Sequence, residues 1–198
     1  MRYDGADQKF AVRERVTRAA AQRFRGDGLA AVGVRQVMAE AGLTHGGFYR
    51  HFASRDELVA AAVEEAAHIT LGYLQSAIEA AQDDKRLDAL VGAYLGTRHC
   101  KAMANCCAAA ALAPEIARLG QVARRRFLAQ NEAILILIAA CLPPGGKAEQ
   151  RHIRATSLFA LMMGALQLAR ILCDDDAAAK TLGAARQSVL TLARQPWS

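Results

Sequence analysis

The sequence predicts an all-α protein in two parts. A small N-terminal unit of three helices contains a helix-turn-helix, and a larger helical domain follows it. Three observations predict this. Proline is scarce, at four in 198 residues, while Ala and Leu abound, so little interrupts helix formation. Apolar residues recur at helical spacing along most of the chain. No segment reads convincingly as a strand, and there is no internal repeat or low-complexity tract.

The elements follow in order. Phe10, Val12, Val16, Ala20 and Phe24 place a helix over residues 8–25, ended by Gly26-Asp27-Gly28. Val34, Val37, Met38 and Ala41 stand at offsets 0, 3, 4 and 7, which gives residues 34–41 one apolar face, with Gly33 as N-cap. Gly42 ends that helix. Thr44 can cap the next, a two-turn helix over 45–52. Ser54 and Glu57 form a capping box that starts a long helix reaching Ala81. Five further helices are expected, over 85–99, 102–112, 114–142, 148–173 and 177–194. Pro114 suits the first turn of the third of these, and Pro143-Pro144-Gly145-Gly146 is the strongest break in the chain. The natural division is a head of residues 1–56 and a body of residues 57–198.

Charge is uneven along the chain, and the basic remainder of the body warns against reading the total alone. The formal net charge is +6, with a sequence pI near 9.3. The head holds ten Lys/Arg against six Asp/Glu, residues 57–88 hold two against seven, and the remainder thirteen against six. A basic head is what binding to phosphates requires. The N-terminus lacks the apolar run of a secretory signal. Five cysteines, odd in number and without CxxC spacing, fit reduced thiols in a cytosol better than a disulfide framework. The apolar runs 133–142 and 157–169 are too short to span a bilayer, so no membrane is expected as a partner. Enzymatic readings find little support: there is no phosphate-cradling Gly loop, zinc-binding His pair or nucleophile elbow. No cofactor or metal ligand set is recognisable.

The chemistry lies in VRQVMAEAG-LT-HGGFYRHF. Two short helices joined by a Gly turn bury little alone and need the first helix to complete a three-helix unit. The second helix of such a unit can lie in the DNA major groove, its N-terminal residues toward the bases. Tyr49, Arg50 and Arg55 are the preferred phosphate ligands. Thr44, His45 and Gly46, with Arg35 from the preceding helix, are the groove-facing set. Gly46 and Gly47 weaken the helix but let its backbone approach DNA closely. His51 is placed either against DNA or against the turn, and Phe48 and Phe52, four apart, are expected in the core.

RERVTRAAAQRFRGDGLAAVGVRQVMAEAGLTHGGFYRHFASRDELVAAAV, residues 13–63, resembles the TetR family of bacterial transcriptional regulators, most specifically in AGLTHGGFYRHFASRDEL. The match covers about a quarter of the chain. The resemblance implies a homodimer with an N-terminal DNA-binding domain and a C-terminal domain for effector binding and dimerisation. It implies release of double-stranded operator DNA when a small molecule binds. By position it implies DNA contacts from Thr44, His45, Gly46, Tyr49, Arg50, His51 and Arg55. Gly33 departs from the Thr or Ser usual there, which removes one phosphate contact.

In the body, residues 155–173 are apolar on nearly every face, and Ala160 and Gly164 permit close helix approach. A homodimer through residues 148–173 and 177–194, in a four-helix arrangement, is expected. The effector pocket should be apolar, with Met103, Cys107, Phe127, Phe159, Met162 and Leu166 as walls. Cys106-Cys107, with Lys101 and His99 near in sequence, also raises an oxidant- or electrophile-sensing regulator. A helical module binding nucleic acid without sequence choice is the remaining alternative.

Overall fold

The structure, a computed structural model, describes residues 5–197. Its helices are α1 (Gly5–Asp27), α2 (Val34–Glu40), α3 (Arg55–Glu79), α4 (Arg86–Tyr94), α5 (Thr97–Lys101), α6 (Ala108–Ile116), α7 (Gln121–Cys141), α8 (Ala148–Ile171) and α9 (Asp175–Ala193). No strand occurs among the described residues. α3 joins the two parts, because it packs on α1 and also on α7, α4 and α6. One continuous core runs from Val16 and Phe24 in the head to Val189 and Ala193 at the far end.

The head closes as its sequence implies. Val37, Met38 and Ala41 are buried, and so are Phe48 and Phe52, whose rings stack 5.6 Å apart. The turn after α2 is set by Gly42 at φ +71. Gly42 N donates to the Ala39 carbonyl at 3.0 Å and Leu43 N to the Met38 carbonyl at 2.8 Å, the paired bonds of a Schellman ending. Gly33 caps α2, its amide donating to Gln36 Oε1 at 3.0 Å.

Several expectations are corrected. Residues 45–52 do not form a regular α-helix; His45–Arg50 is a 3₁₀ segment. Gly46 and Gly47 make poor helix interior, and the bonds Gly47 N to Thr44 O and His51 N to Phe48 O close three-residue turns. The capping box at α3 is displaced by one residue. Ser54 Oγ accepts from Glu57 N at 3.1 Å, but the Glu57 carboxylate accepts from Ala53 N at 2.6 Å, not from Ser54 N.

The expected helix 85–99 breaks at Gly96, which is extended and closely approaches the Gly92 carbonyl. The expected helix 102–112 gives way to a 3₁₀ segment, Met103–Asn105, and an extended Cys106, so α6 starts only at Ala108. Pro114 does not open a helix but lies inside α6. A proline there leaves the carbonyl four residues earlier without its amide. That carbonyl is Ala110 O, and Gln167 Nε2 of α8 donates to it at 3.0 Å. The helix after α6 begins at Gln121 rather than at Pro114.

The break after α7 is packed against the chain's end. Gly145 and Gly146 both have positive φ and lie under the Trp197 ring, where a Cβ would collide. Arg154 covers the other part of that ring, 3.7 Å from its centroid, and Trp197 Nε1 donates to the Pro144 carbonyl at 3.1 Å.

Candidate nucleic-acid interface

Phe48 and Phe52 point inward and hold the 3₁₀ segment against α1 and α2, which turns its polar residues out. Thr44, His45, Gly46, Tyr49 and Arg50 are exposed, as is Arg35 on α2. Tyr49 is 73% exposed and meets Phe48 edge-on at 5.2 Å, so its ring base is braced while its hydroxyl faces solvent. Gly47 is half-buried over the Met38 methyl, 3.8 Å from where a Cβ would stand.

Two of the expected residues are already engaged by protein. Arg55 Nη2 donates to the carbonyls of Leu29 and Val32, tying the start of α3 to the α1–α2 loop. His51 is half-buried, its Nδ1 buried without a hydrogen-bond partner and its carbonyl accepting from Arg13 Nη1. Burial, followed by the positive charges of Lys9, Arg13 and Arg50, holds the His51 ring below its ordinary pKa.

The sequence reading missed the part played by α1. Arg13 also bonds Glu57 at 2.8 Å and covers the Phe52 ring at 4.3 Å. Arg15 Nε donates to the Ala41 carbonyl at 3.0 Å. Arg13 and Arg15 therefore clamp the helix-turn-helix. Lys9 is different. It lies beside Arg50 and His51 on the rim of an open hollow that Gln8 and Val12 complete, so the N-terminal part of α1 extends the basic surface of the motif. The missed signal is the spacing Lys9, Arg13, four residues apart on one face of α1.

The head is also bonded to α6 and to the segment before it. Glu115 of α6 accepts from Leu29 N at 2.8 Å, and Arg25 Nη1 donates to the Cys106 carbonyl at 3.2 Å. Of the residues expected around an effector, Cys107, Phe127, Phe159, Met162 and Leu166 are buried in the common core, and Met103 is 42% exposed. A cavity of about 490 Å³ lies instead between the start of α3 and the start of α7, bounded by Val59, Ala60, Leu119, Val122 and Arg126 among others.

Cys107 is fully buried. Burial pushes its thiol pKa up, against hydrogen bonds that favour the thiolate. Neither cation that suggested sensing acts on it as that reading required. Lys101 pairs with Asp175 at 2.6 Å, and His99 is held neutral, its pKa down at about 4. A low-pKa reactive thiol is therefore not what this environment makes.

Exposed hydrogen-bond donors on a buried-aromatic 3₁₀ segment, after a Gly turn and a short helix, define a helix-turn-helix DNA-binding regulator. Residues 16–62 match the model of the bacterial regulatory proteins, tetR family. The whole fold is similar to a TetR transcriptional regulator from Chloroflexus aurantiacus, with TM-score 0.74, 25% identity and coverage of 93% of this chain and 94% of that one. It is also similar to SCO4454, a TetR-family regulator from Streptomyces coelicolor, with TM-score 0.73, 21% identity and coverage of 93% and 96%. The reduced form of NemR from Escherichia coli gives TM-score 0.72, 18% identity and coverage of 91% and 96%. A comparison with curated protein sequences finds no match. Residues 16–62 thus carry the tetR-family DNA-binding domain, on a chain whose whole fold is similar to that of solved TetR transcriptional regulators. Among the described residues no helix is long and apolar enough to cross a membrane.

Proposed function

We propose that this regulator is a homodimeric, cytoplasmic repressor that a small molecule releases from a palindromic operator. The observation that carries the DNA-reading part is the outward set Arg35, Thr44, His45, Gly46, Tyr49 and Arg50, held on a segment whose aromatic side is buried. Thr44, His45, Gly46 and Arg35 face base edges, and Gly46 and Gly47 let the backbone approach. Tyr49 and Arg50 hold phosphates. Arg55 and His51 reach DNA only through the groups that the head itself leaves free. The head comprises residues 1–56 and the body 57–198.

Dimerisation is supported by α8. Ile153, Leu161, Leu168 and Ile171 are exposed along it, with the small Ala160 and Gly164 between them. Gly183 and Ala184 stand exposed on α9, which packs beside it. Such an apolar stripe on two neighbouring helices matches a second copy related by a twofold axis. Two heads roughly 34 Å apart would then read half-sites one DNA turn apart.

Selection on random duplex DNA, followed by salt titration of the selected and a scrambled duplex, tests the reading. A palindromic site bound at least 10³-fold more tightly than the scrambled duplex is expected, as is a dimer by light scattering. Equal affinity for both duplexes, or a monomer at micromolar concentration, would sink it. His45→Ala should relax choice at particular base pairs, whereas Tyr49→Phe should weaken all sequences alike.

A further inference from the structure

Two arginines, Arg25 buried and Arg170 half-buried, bond backbone carbonyls and no carboxylate among the described residues. Arg25, near the end of α1, is 2% exposed. Its Nε donates to the Ala21 carbonyl at 3.0 Å and its Nη1 to the Cys106 carbonyl, while its Nη2 is buried without a partner. Arg170, on α8, repeats the pattern. Its Nε donates to the Cys100 carbonyl at 3.2 Å, and its Nη2 is buried without a partner. Glu65 acts on Arg25 from a distance but bonds Arg18 at 3.4 Å. A third donor joins them. Tyr94 is fully buried, and its hydroxyl makes no hydrogen bond of ordinary geometry; the Cys107 thiol, a poor acceptor, is beside it.

His99 shows that the three belong to one cluster. Its ring lies 5.3 Å from that of Tyr94 and 5.3 Å from that of Tyr73, and its Nε2 accepts from Cys107 N at 3.2 Å. Both arginines act on it electrostatically. Aromatic rings pack around it: Tyr73 stacks flat on His99, and Tyr94 meets Phe159 edge-on at 5.8 Å.

A buried guanidinium facing only neutral carbonyls is poorly compensated. A carboxylate is a stronger acceptor than a peptide carbonyl and matches the guanidinium fork. We propose that the Arg25, Arg170 and Tyr94 cluster is a binding site for a small aromatic carboxylate, which replaces the Cys106 and Cys100 carbonyls on the two guanidinium groups. The segment between α4 and α6 supplies His99, Cys100, Cys106 and Cys107 in short turns, so it can shift without unwinding a long helix. Arg25 belongs to α1 of the head. Exchange of its partner thus gives one head position a different ligand affinity from the other, which is all that an effector requires. This regulatory consequence rests on the reading under Proposed function; the binding does not.

The experiment uses the full chain with benzoate and its uncharged isostere benzamide, by isothermal titration calorimetry and thermal denaturation. Benzoate should bind and raise the Tm, with benzamide at least tenfold weaker. Arg170→Gln should weaken benzoate at least tenfold and Tyr94→Phe several-fold, both keeping operator affinity. Tyr94→Phe is nearly isosteric and carries the test if Arg170→Gln fails to fold. No benzoate binding by the wild type, equal binding of benzamide, or undiminished binding by Tyr94→Phe would each overturn the site. A chain that binds benzoate in this way but prefers no DNA sequence loses the regulator reading and keeps the site. One that selects an operator yet ignores benzoate does the reverse.

Discussion

His99 should make this protein lose stability in mild acid. The imidazole is 4% exposed, and burial, then Arg170 and Arg25, hold its pKa down at about 4 instead of the ordinary 6.5. Its Nε2 is an acceptor for Cys107 N, so the fold requires the neutral ring. In the unfolded chain the ring gains its proton near pH 6.5; in the folded protein it does so only near pH 4. Between those values the unfolded state binds more protons, so stability falls as pH falls. The contribution is fully present above pH 6.5, declines through the interval, and is gone below about pH 4. At about 1.4 kcal/mol per pH unit, that interval is worth about 3 kcal/mol.

Urea unfolding followed by far-ultraviolet circular dichroism, at several pH values from near 7 to about 4.5, measures this loss. Other groups titrate in the same direction. His51 is also held below its ordinary pKa, and so is Glu57, through the amide of Ala53 and then Arg13. The decisive quantity is therefore the difference between the wild type and His99→Gln, which keeps an acceptor but takes up no proton. The variant should show a shallower decline by about 2–3 kcal/mol across the interval. Equal slopes would refute the argument, because they would mean that the buried ring carries no proton linkage.

Four other outcomes are expected. Lys9→Gln should lower the slope of log affinity against log salt by about 1 at the selected operator and leave base preference unchanged, measured by fluorescence anisotropy. Glu115→Ala removes the acceptor of Leu29 N and should cost about 2 kcal/mol in urea unfolding, a Tm lower by about 4–8 °C. Gly42→Ala places a side chain at φ +71 and should cost about 1–2 kcal/mol by the same measurement. Gln167→Leu leaves the Ala110 carbonyl beside Pro114 without a donor and should cost about 1–3 kcal/mol, a loss absent when Pro114→Ala restores the helical amide in the same chain.

The head was legible because its instructions are local. Gly42, the α2 stripe and the Ser54 cap each act within a few residues, and each stands in the structure where the sequence implies. Even the 3₁₀ form of His45–Arg50 was signalled by its two adjacent glycines, which the helical reading took only as weakening the helix. The middle of the body was not legible for the opposite reason. Where helices end between α4 and α7 depends on partners far along the chain. Pro114 would ordinarily mark a boundary, and it can stay inside α6 because a side chain 57 residues away from Ala110 replaces the lost bond.

Arg25 carries the same argument into function. In the sequence it is one of several arginines on an amphipathic helix, and nothing within a turn of it foretells burial. The fold draws it to a carbonyl 81 residues away and leaves one of its nitrogens unpaired. A sequence can show that a head reads DNA, since reading is done by neighbouring residues on one segment. The proposed carboxylate site is assembled from α1, α4, α5 and α8 at once, and that assembly exists only when the chain has folded. If the effector carries a carboxylate, the signal enters at a site whose Cys107 and Phe159 the sequence reached but whose Arg25 it did not, and Arg25 carries it onward because it sits on the head's own first helix.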